Sequence, residues 1–286
     1  MNKLIPVLAA SALLLAGCSA PAQDDGLVHV VASTSVYGDI VSEIAGEHAS
    51  VTSFINSADQ DPHSFEASAR DQLAIADADL VIENGGGYDP FMDALLSAAG
   101  SDADVINAFD TSGLPGPNEH VWYSFDAMTA VVAAITDKLS SIDPSNAGDY
   151  AANGSALAGQ IAELHKRANN MATEGDVAVT EPVPVYLLGS VGLTNVTPED
   201  FTEAIEEGSG VPPLALQETL ALFSSKSVRL LAYNSQTASP ETEKVRKAAE
   251  AAGIPVVEFT ETLPAGADYV SWMTANLDSL ATALGQ

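Results

Sequence analysis

Val28-His29-Val30-Val31-Ala32 is a short run of strand formers, and the stretch Tyr37-Gly38-Asp39-Ile40-Val41-Ser42-Glu43-Ile44-Ala45-Gly46-Glu47 behind it carries apolar residues at helical spacing. This succession of apolar run and amphipathic helix returns along the chain. Strands are expected at 28–32, 51–55, 80–83, 105–108, 177–180, 228–233 and 256–259, with helices such as 37–47, 67–76 and 90–99 between them. Strands that alternate with helices predict a parallel sheet flanked by helices, an α/β fold.

The middle of the chain breaks the alternation. From Phe125 to Met171 the composition is helical, interrupted only at Asp143-Pro144. Two α/β lobes are therefore expected, 27–143 and 173–286, each a small, mostly parallel sheet with helices on its faces. A helix over 144–172 joins them. Gly148, Gly154 and Gly159 weaken that helix by ~1 kcal/mol each against Ala, so it needs tertiary support. Another helix start is marked by Thr197 as N-cap, Pro198 at the first helical position and Asp200 behind it, and prolines signal starts near Pro144 and Pro240. No internal repeat of fixed period is visible. A cleft between two α/β lobes, at the carboxyl ends of their strands, is where a ligand is expected.

The 286 residues include 10 Lys+Arg against 39 Asp+Glu, a formal charge of −29, and 47 % are hydrophobic. That apolar fraction supports a folded core. The acid excess excludes nucleic acid as a partner, because phosphates would be repelled, and suits a cationic ligand. Residues 1–17 read as an export signal, with Lys3, an apolar stretch from Leu4 to Leu15 and then small residues. Leu15-Ala16-Gly17-Cys18 resembles the lipobox of bacterial lipoproteins, which implies cleavage before Cys18 and lipid attachment to it. Residues 18–26 then form the lipidated cysteine and a flexible tether. The expected location is the outer face of the cytoplasmic membrane, lipid-anchored, as a monomer. Cys18 is the only cysteine, so no intramolecular disulfide can form.

Five histidines occur. His63, in Gln60-Asp61-Pro62-His63-Ser64-Phe65, and His120, in Asn118-Glu119-His120-Val121-Trp122, sit in loops that follow expected strands. His29 and His48 flank a strand and a helix end and are read as structural. His165, beside Lys166 and Arg167, is read as solvated surface. Two carboxylates also stand out. Glu181 follows the apolar run 177–180 and precedes Pro182, placing it at a strand's carboxyl end; Asp268 opens the last helix. A carboxylate in that second position is equally explained as a helix cap. Gly85-Gly86-Gly87 matches no phosphate-binding loop and is read as a turn into the next helix.

Taken together, Val31-Ala32-Ser33-Thr34-Ser35-Val36-Tyr37-Gly38-Asp39-Ile40-Val41, Asp61-Pro62-His63-Ser64-Phe65-Glu66, Leu80-Val81-Ile82-Glu83-Asn84-Gly85-Gly86-Gly87-Tyr88, Asn118-Glu119-His120-Val121-Trp122 and Val257-Glu258-Phe259-Thr260-Glu261-Thr262-Leu263-Pro264 resemble, in collinear order, the metal-binding solute receptors of bacterial zinc and manganese ABC importers. The resemblance runs from about residue 28 to the C-terminus. It implies two α/β lobes joined by one long rigid helix, with the metal between them. It also implies four ligands: His63, His120, Glu181 from the first strand of the second lobe, and Asp268. Three features depart from the family's pattern. Glu119 stands where the family often has Pro, residues 110–118 lack the histidines of zinc importers, and Pro182-Val183-Pro184-Val185-Tyr186 differs from the usual aromatic-rich segment.

Two imidazoles and two carboxylates suit a borderline-to-hard dication, with Mn²⁺ ahead of Zn²⁺ by a narrow margin. The ion is cargo, captured without chemistry, and an ABC permease with its ATPase is the implied partner. No catalytic residue is assigned. A metal-dependent hydrolase is the rival reading; the chain has neither H-E-x-x-H nor G-x-S-x-G. A surface adhesin with a structural metal is the other.

Overall fold

Both halves of the chain build the same sheet. The computed structural model describes residues 26–57, 60, 65–171 and 173–286. The first sheet comprises β1 (Val28–Thr34), β2 (Ala49–Ile55), β3 (Leu80–Glu83) and β4 (Asp104–Asn107), in the order β2-β1-β3-β4. The second comprises β5 (Gly175–Val179), β6 (Leu193–Asn195), β7 (Leu231–Asn234) and β8 (Val256–Phe259), in the order β6-β5-β7-β8. Every strand pair is parallel. Two halves without a detectable sequence repeat thus share one topology.

The helices of the first half are α1 (Ser35–Ala45), α2 (Ala69–Ala76), α3 (Pro90–Ala99) and the short α4 (Ala108–Ser112). Two longer helices follow, α5 (Phe125–Ile142) and α6 (Ala147–Met171), which leads into the second sheet. The second half adds α7 (Val185–Ser190), α8 (Glu199–Glu206), α9 (Pro213–Ser224), α10 (Pro240–Ala252) and α11 (Tyr269–Leu284). Among the described residues no helix is long and apolar enough to cross a membrane.

Strand residues alternate between two faces, and that period sorts the core. Val30, Ala32, Leu80, Ile82, Val177 and Val179 join one large cluster that also takes in α1, α5, α6 and α11 and runs from one half into the other. Their neighbours point the opposite way. Val31 and Val81 pack with Phe54, Ile75 and Met92 in a cluster of the first half, and Ala178 and Leu231 pack with Phe201 and Val245 in one of the second. Both sheet faces are covered, so the strands read as continuous apolar runs. Tyr37, Ile40, Val41 and Ile44 on α1 are fully buried, at roughly 1.5–3 kcal/mol for each large side chain.

The structure departs from expectation in a few places. β6, only three residues long, gave no readable signal. Thr197 is not the N-cap of α8: Pro198 holds that position, and the buried Thr197 hydroxyl accepts a hydrogen bond from the Val179 amide at 2.8 Å. Gly85, Gly86 and Gly87 do form a turn, all with positive φ, and Asp89 accepts the Asn84 and Gly85 amides at 2.7 and 2.8 Å inside it. A side chain at Gly86 would run into Phe109. His48 contacts Asp149 at 3.1 Å, and His165 contacts Asp126 at 3.2 Å.

The three glycines of α6 are not equivalent. Gly148 and Gly159 are exposed with open space around them, whereas Gly154 is buried and a Cβ there would meet Thr136 of α5 at Oγ1, 2.2 Å, and Cγ2, 3.1 Å. Gly154 therefore sets how closely α6 approaches α5. Gly159→Ala is expected to stabilise the protein by ~0.5–1 kcal/mol through helix propensity. Gly154→Ala is expected to destabilise it by ~1–3 kcal/mol through overpacking, despite the same gain in propensity. Urea unfolding of the two variants measures the opposite signs.

Candidate metal centre

In each sheet the chain order reverses beside the first strand of that half, β1 or β5, and the loops leaving the carboxyl ends of the strands converge there. Strand β5 ends in Thr180-Glu181, β7 in Asn234 and β8 in Phe259-Thr260-Glu261. Glu181 and Glu261 are both buried, 2 % and 1 % exposed. The Asn234 amide joins them: its Nδ2 donates to Glu181 Oε2 and, at 2.7 Å, to Glu261 Oε1. Asn234 is itself fixed by Thr180, whose hydroxyl accepts its backbone N–H at 2.9 Å. The second oxygen of Glu261 accepts from Tyr88 Oη of the first half at 3.1 Å.

His120 faces this group from the first half and is 1 % exposed. It precedes a 3₁₀ turn, Val121–Tyr123, and its ring lies edge-on between Tyr88 and Trp122, centroids 5.9 and 5.2 Å away. Asn118 Oδ1 contacts His120 Nδ1 at 2.8 Å and accepts its backbone N–H at 3.1 Å. An amide oxygen only accepts, so Nδ1 carries the proton and Nε2 presents the lone pair. Fixing the tautomer through the far nitrogen is how metal-ligating histidines are oriented. Nε2 lies 3.7 Å from Glu206 Oε1. Donor atoms of Glu119, His120 and Glu206 all fall within 4.8 Å of one another.

Glu119 and Glu206 thus stand beside the imidazole, and Glu181 and Glu261 lie near enough to Glu206 to repel it. Burial pushes the Glu206 carboxyl up to about 8, and Glu119, Glu181 and Glu261 add to the shift by repulsion. Such a set is costly when ionised without a cation, and a dication relieves it.

Of the expected ligands, His120 lies 3.7 Å from Glu206, and Glu181, paired with Glu261 through Asn234, acts on that same Glu206 carboxyl. His63 and Cys18 lie outside the described residues. Asp268 is placed elsewhere: it is exposed, caps α11 by accepting the Ser271 amide at 2.7 Å, and lines a groove with Asp39, Glu43 and Gln160. The cap is the other reading that the sequence allows for this position. Glu261, seven residues earlier, is the acid of the last strand-to-helix segment that joins the buried group. The strand-end argument that picks out Glu181 would have found it, since both strands are followed by Thr-Glu. Asn234 and Glu206 carry no sequence signal of this kind, because their role exists only across the fold.

Several hydrogen bonds tie the halves together around the group. Tyr123 Oη donates to the Thr260 carbonyl at 2.7 Å, Tyr186 Oη to the Asn118 carbonyl at 2.8 Å and Tyr269 Oη to the Trp122 carbonyl at 2.8 Å. Asn118 Nδ2 donates to the Pro182 carbonyl at 3.1 Å.

Replacing Asn234 by Ala removes the donor shared by two buried carboxylates. The metal-free protein is expected to lose ~1–3 kcal/mol in urea unfolding, and affinity for a bound dication to fall ~10–100-fold in a chelator competition. Burial raises the Asp39 carboxyl to about 6, against the pull of the Tyr269 N–H, and Glu43 and Asp268 push it further. A raised acid binds its proton more tightly in the folded state, so stability falls as pH rises from about 4 to about 6. Asp39→Asn keeps an acceptor for Tyr269 and removes the charge. Its melting temperature should match the parent near pH 4 and exceed it by ~2–4 °C above pH 7.

The profile of the family described as "Zinc-uptake complex component A periplasmic" matches residues 30–283. A manganese-binding lipoprotein, MntA, of Halalkalibacterium halodurans is 32 % identical over 177 residues, 58 % of each chain. The manganese ABC transporter substrate-binding lipoprotein PsaA of Streptococcus pneumoniae is 26 % identical over the whole of both chains. Among solved structures, the periplasmic zinc binding protein TroA of Treponema pallidum superposes with a TM-score of 0.76 at 20 % identity, covering 91 % of this chain and 99 % of its own. The chain belongs to the zinc-uptake component A family, the metal-binding solute-binding proteins of ABC importers, which transport and do not catalyse.

Proposed function

We propose that this chain captures one Mn²⁺ ion, with Zn²⁺ as its close competitor, and that the ligands are His63, His120, Glu181 and Glu261. The observation that carries the reading is the Asn234 fork, which holds the Glu181 and Glu261 carboxylates side by side while His120 turns Nε2 toward the same acidic group. His63 enters from the sequence resemblance alone. Glu261 replaces Asp268, because a solvent-exposed helix cap does not supply a ligand to a buried site.

The ion is cargo. Two imidazoles and two carboxylates offer a neutral-plus-anionic set that balances a dication and makes its desolvation tolerable. Carboxylate oxygens suit Mn²⁺, and the absence of thiolate removes any bias toward soft ions. Zn²⁺ binds more tightly than Mn²⁺ to a given N/O site, so Zn²⁺ competes in the test tube whatever the physiological cargo. The manganese receptors among the relatives support the preference for Mn²⁺. The loaded receptor then docks on a membrane permease driven by its ATPase, and a lipid on Cys18 keeps it at the membrane surface. The proposed boundaries are lobes at 27–143 and 173–286, linked over 144–172.

The test uses soluble protein beginning at Gln23, stripped with chelator and equilibrated with buffered Mn²⁺ and Zn²⁺ together. One metal per chain is expected by elemental analysis. At about 1,000 Kd of free metal, binding adds ~4.1 kcal/mol to stability, visible as a higher melting temperature. Glu181→Ala and Glu261→Ala should abolish loading, and Asp268→Ala should leave it unchanged. Loss of loading in Asp268→Ala with retention in Glu261→Ala would reverse the assignment of the fourth ligand. An unloaded parent protein would leave the adhesin reading in its place.

A further inference from the structure

Glu206 has no role in the four-ligand set, yet its setting is unfavourable for a carboxylate with no other purpose. It is the last residue of α8, where the helix dipole opposes negative charge. Phe201, Ala204 and Ile205 on the same helix are buried, which carries the adjacent Glu206 inward. Its side chain is 17 % exposed, and its Oε1 is buried and accepts no hydrogen bond from the described residues. What that oxygen faces is His120 Nε2 at 3.7 Å, across the ring from the Nδ1 that contacts Asn118.

We infer that Glu206 is a fifth donor to the ion held by His120, delivered by α8, and that it tilts the site toward Mn²⁺ against Zn²⁺. The inference rests on the receptor reading above. Two donors each ~2.1 Å from one ion lie roughly 3.0–3.4 Å apart, so the observed separation closes with a shift of a few tenths of an ångström. Four protein ligands satisfy the tetrahedral preference of Zn²⁺, which gains little from a fifth. A harder ion that takes more oxygens gains a contact, and a carboxylate is the donor type it favours. Glu119, whose donor atom lies within 4.8 Å of both partners, adds negative charge beside the same pair.

The experiment compares the parent with Glu206→Gln and Glu206→Asp. Affinities for Mn²⁺ and Zn²⁺ are measured separately by competition with a fluorescent chelator, and Mn²⁺ paramagnetic resonance reports the symmetry of its site. Circular dichroism of the metal-free proteins checks folding. In Glu206→Gln the affinity for Mn²⁺ should fall ~10–100-fold while that for Zn²⁺ holds within ~3-fold. Glu206→Asp keeps the charge but shortens the reach by one methylene, so it should lose the same selectivity and alter the Mn²⁺ spectrum. Equal losses for both metals, or a Glu206→Asp protein that behaves like the parent, would show that Glu206 acts only by long-range attraction and overturn the inference. So would a Glu206→Gln protein with unchanged affinities. A parent that loads neither metal overturns the receptor reading and this inference with it, whereas a parent that loads one metal with selectivity indifferent to Glu206 overturns this inference alone.

Discussion

The amide donor that two buried carboxylates share, Asn234 Nδ2 with Glu181 and Glu261, is the interaction on which the candidate site depends. Glu206 of the second half comes within 3.7 Å of His120 of the first, and Glu181 and Glu261 repel its carboxyl. Burial and the nearby acids together push the Glu206 carboxyl up to about 8, so that it keeps its proton near neutral pH. The fold answers with donors that are rigid and neutral. Asn234 gives Nδ2 to two of the carboxylates, and Tyr88 reaches across from the other half to give Oη to Glu261. These contacts hold the oxygens in place without neutralising them.

That arrangement explains why a binding protein needs two halves that share a topology and a core. Strands supply short, well-placed ends, and the reversal of strand order opens a crevice in each sheet. With the halves packed through α1, α5, α6 and α11, Tyr88 of the first half reaches Glu261 of the second, and Asn118 beside His120 reaches Pro182 beside Glu181. The tyrosine hydroxyls that cross the junction, from Tyr88, Tyr123, Tyr186 and Tyr269, bond to partners on the opposite half. Their aromatic bodies line the junction with apolar surface, which lowers the local dielectric and strengthens every charge interaction within.

Glu181 and Asp268 stand in different surroundings, the first buried and paired through Asn234, the second an exposed helix cap. Glu181 was legible because an apolar run ends at it, and strand ends are where such sheets place ligands. Glu261 likewise follows a strand through Thr-Glu, whereas Asp268 opens a helix. In the fold that pattern means what it most simply means, a cap closed by Ser271. The Thr197 assignment failed for a related reason. A hydroxyl before a proline reads as a helix cap, yet here the hydroxyl is drawn into the sheet by the Val179 amide, because a buried N–H must find an acceptor.

The sequence by itself determined the class of fold, the two α/β halves, the helical middle and the candidacy of His120 and Glu181. Those follow from local facts: strand and helix periods, turn chemistry at Gly85 to Gly87, and the end of an apolar run. Only the tertiary structure decided that Asn234 binds both glutamates, that Glu206 faces His120, that Gly154 governs the packing of α6 on α5, and that Asp268 stays at the surface. Each of these is a relation between residues brought together by packing. Glu181 and Asn234 stand 53 positions apart and His120 and Glu206 86 apart in the chain, and no periodicity or propensity encodes which distant side chains will share a cavity a few ångströms wide.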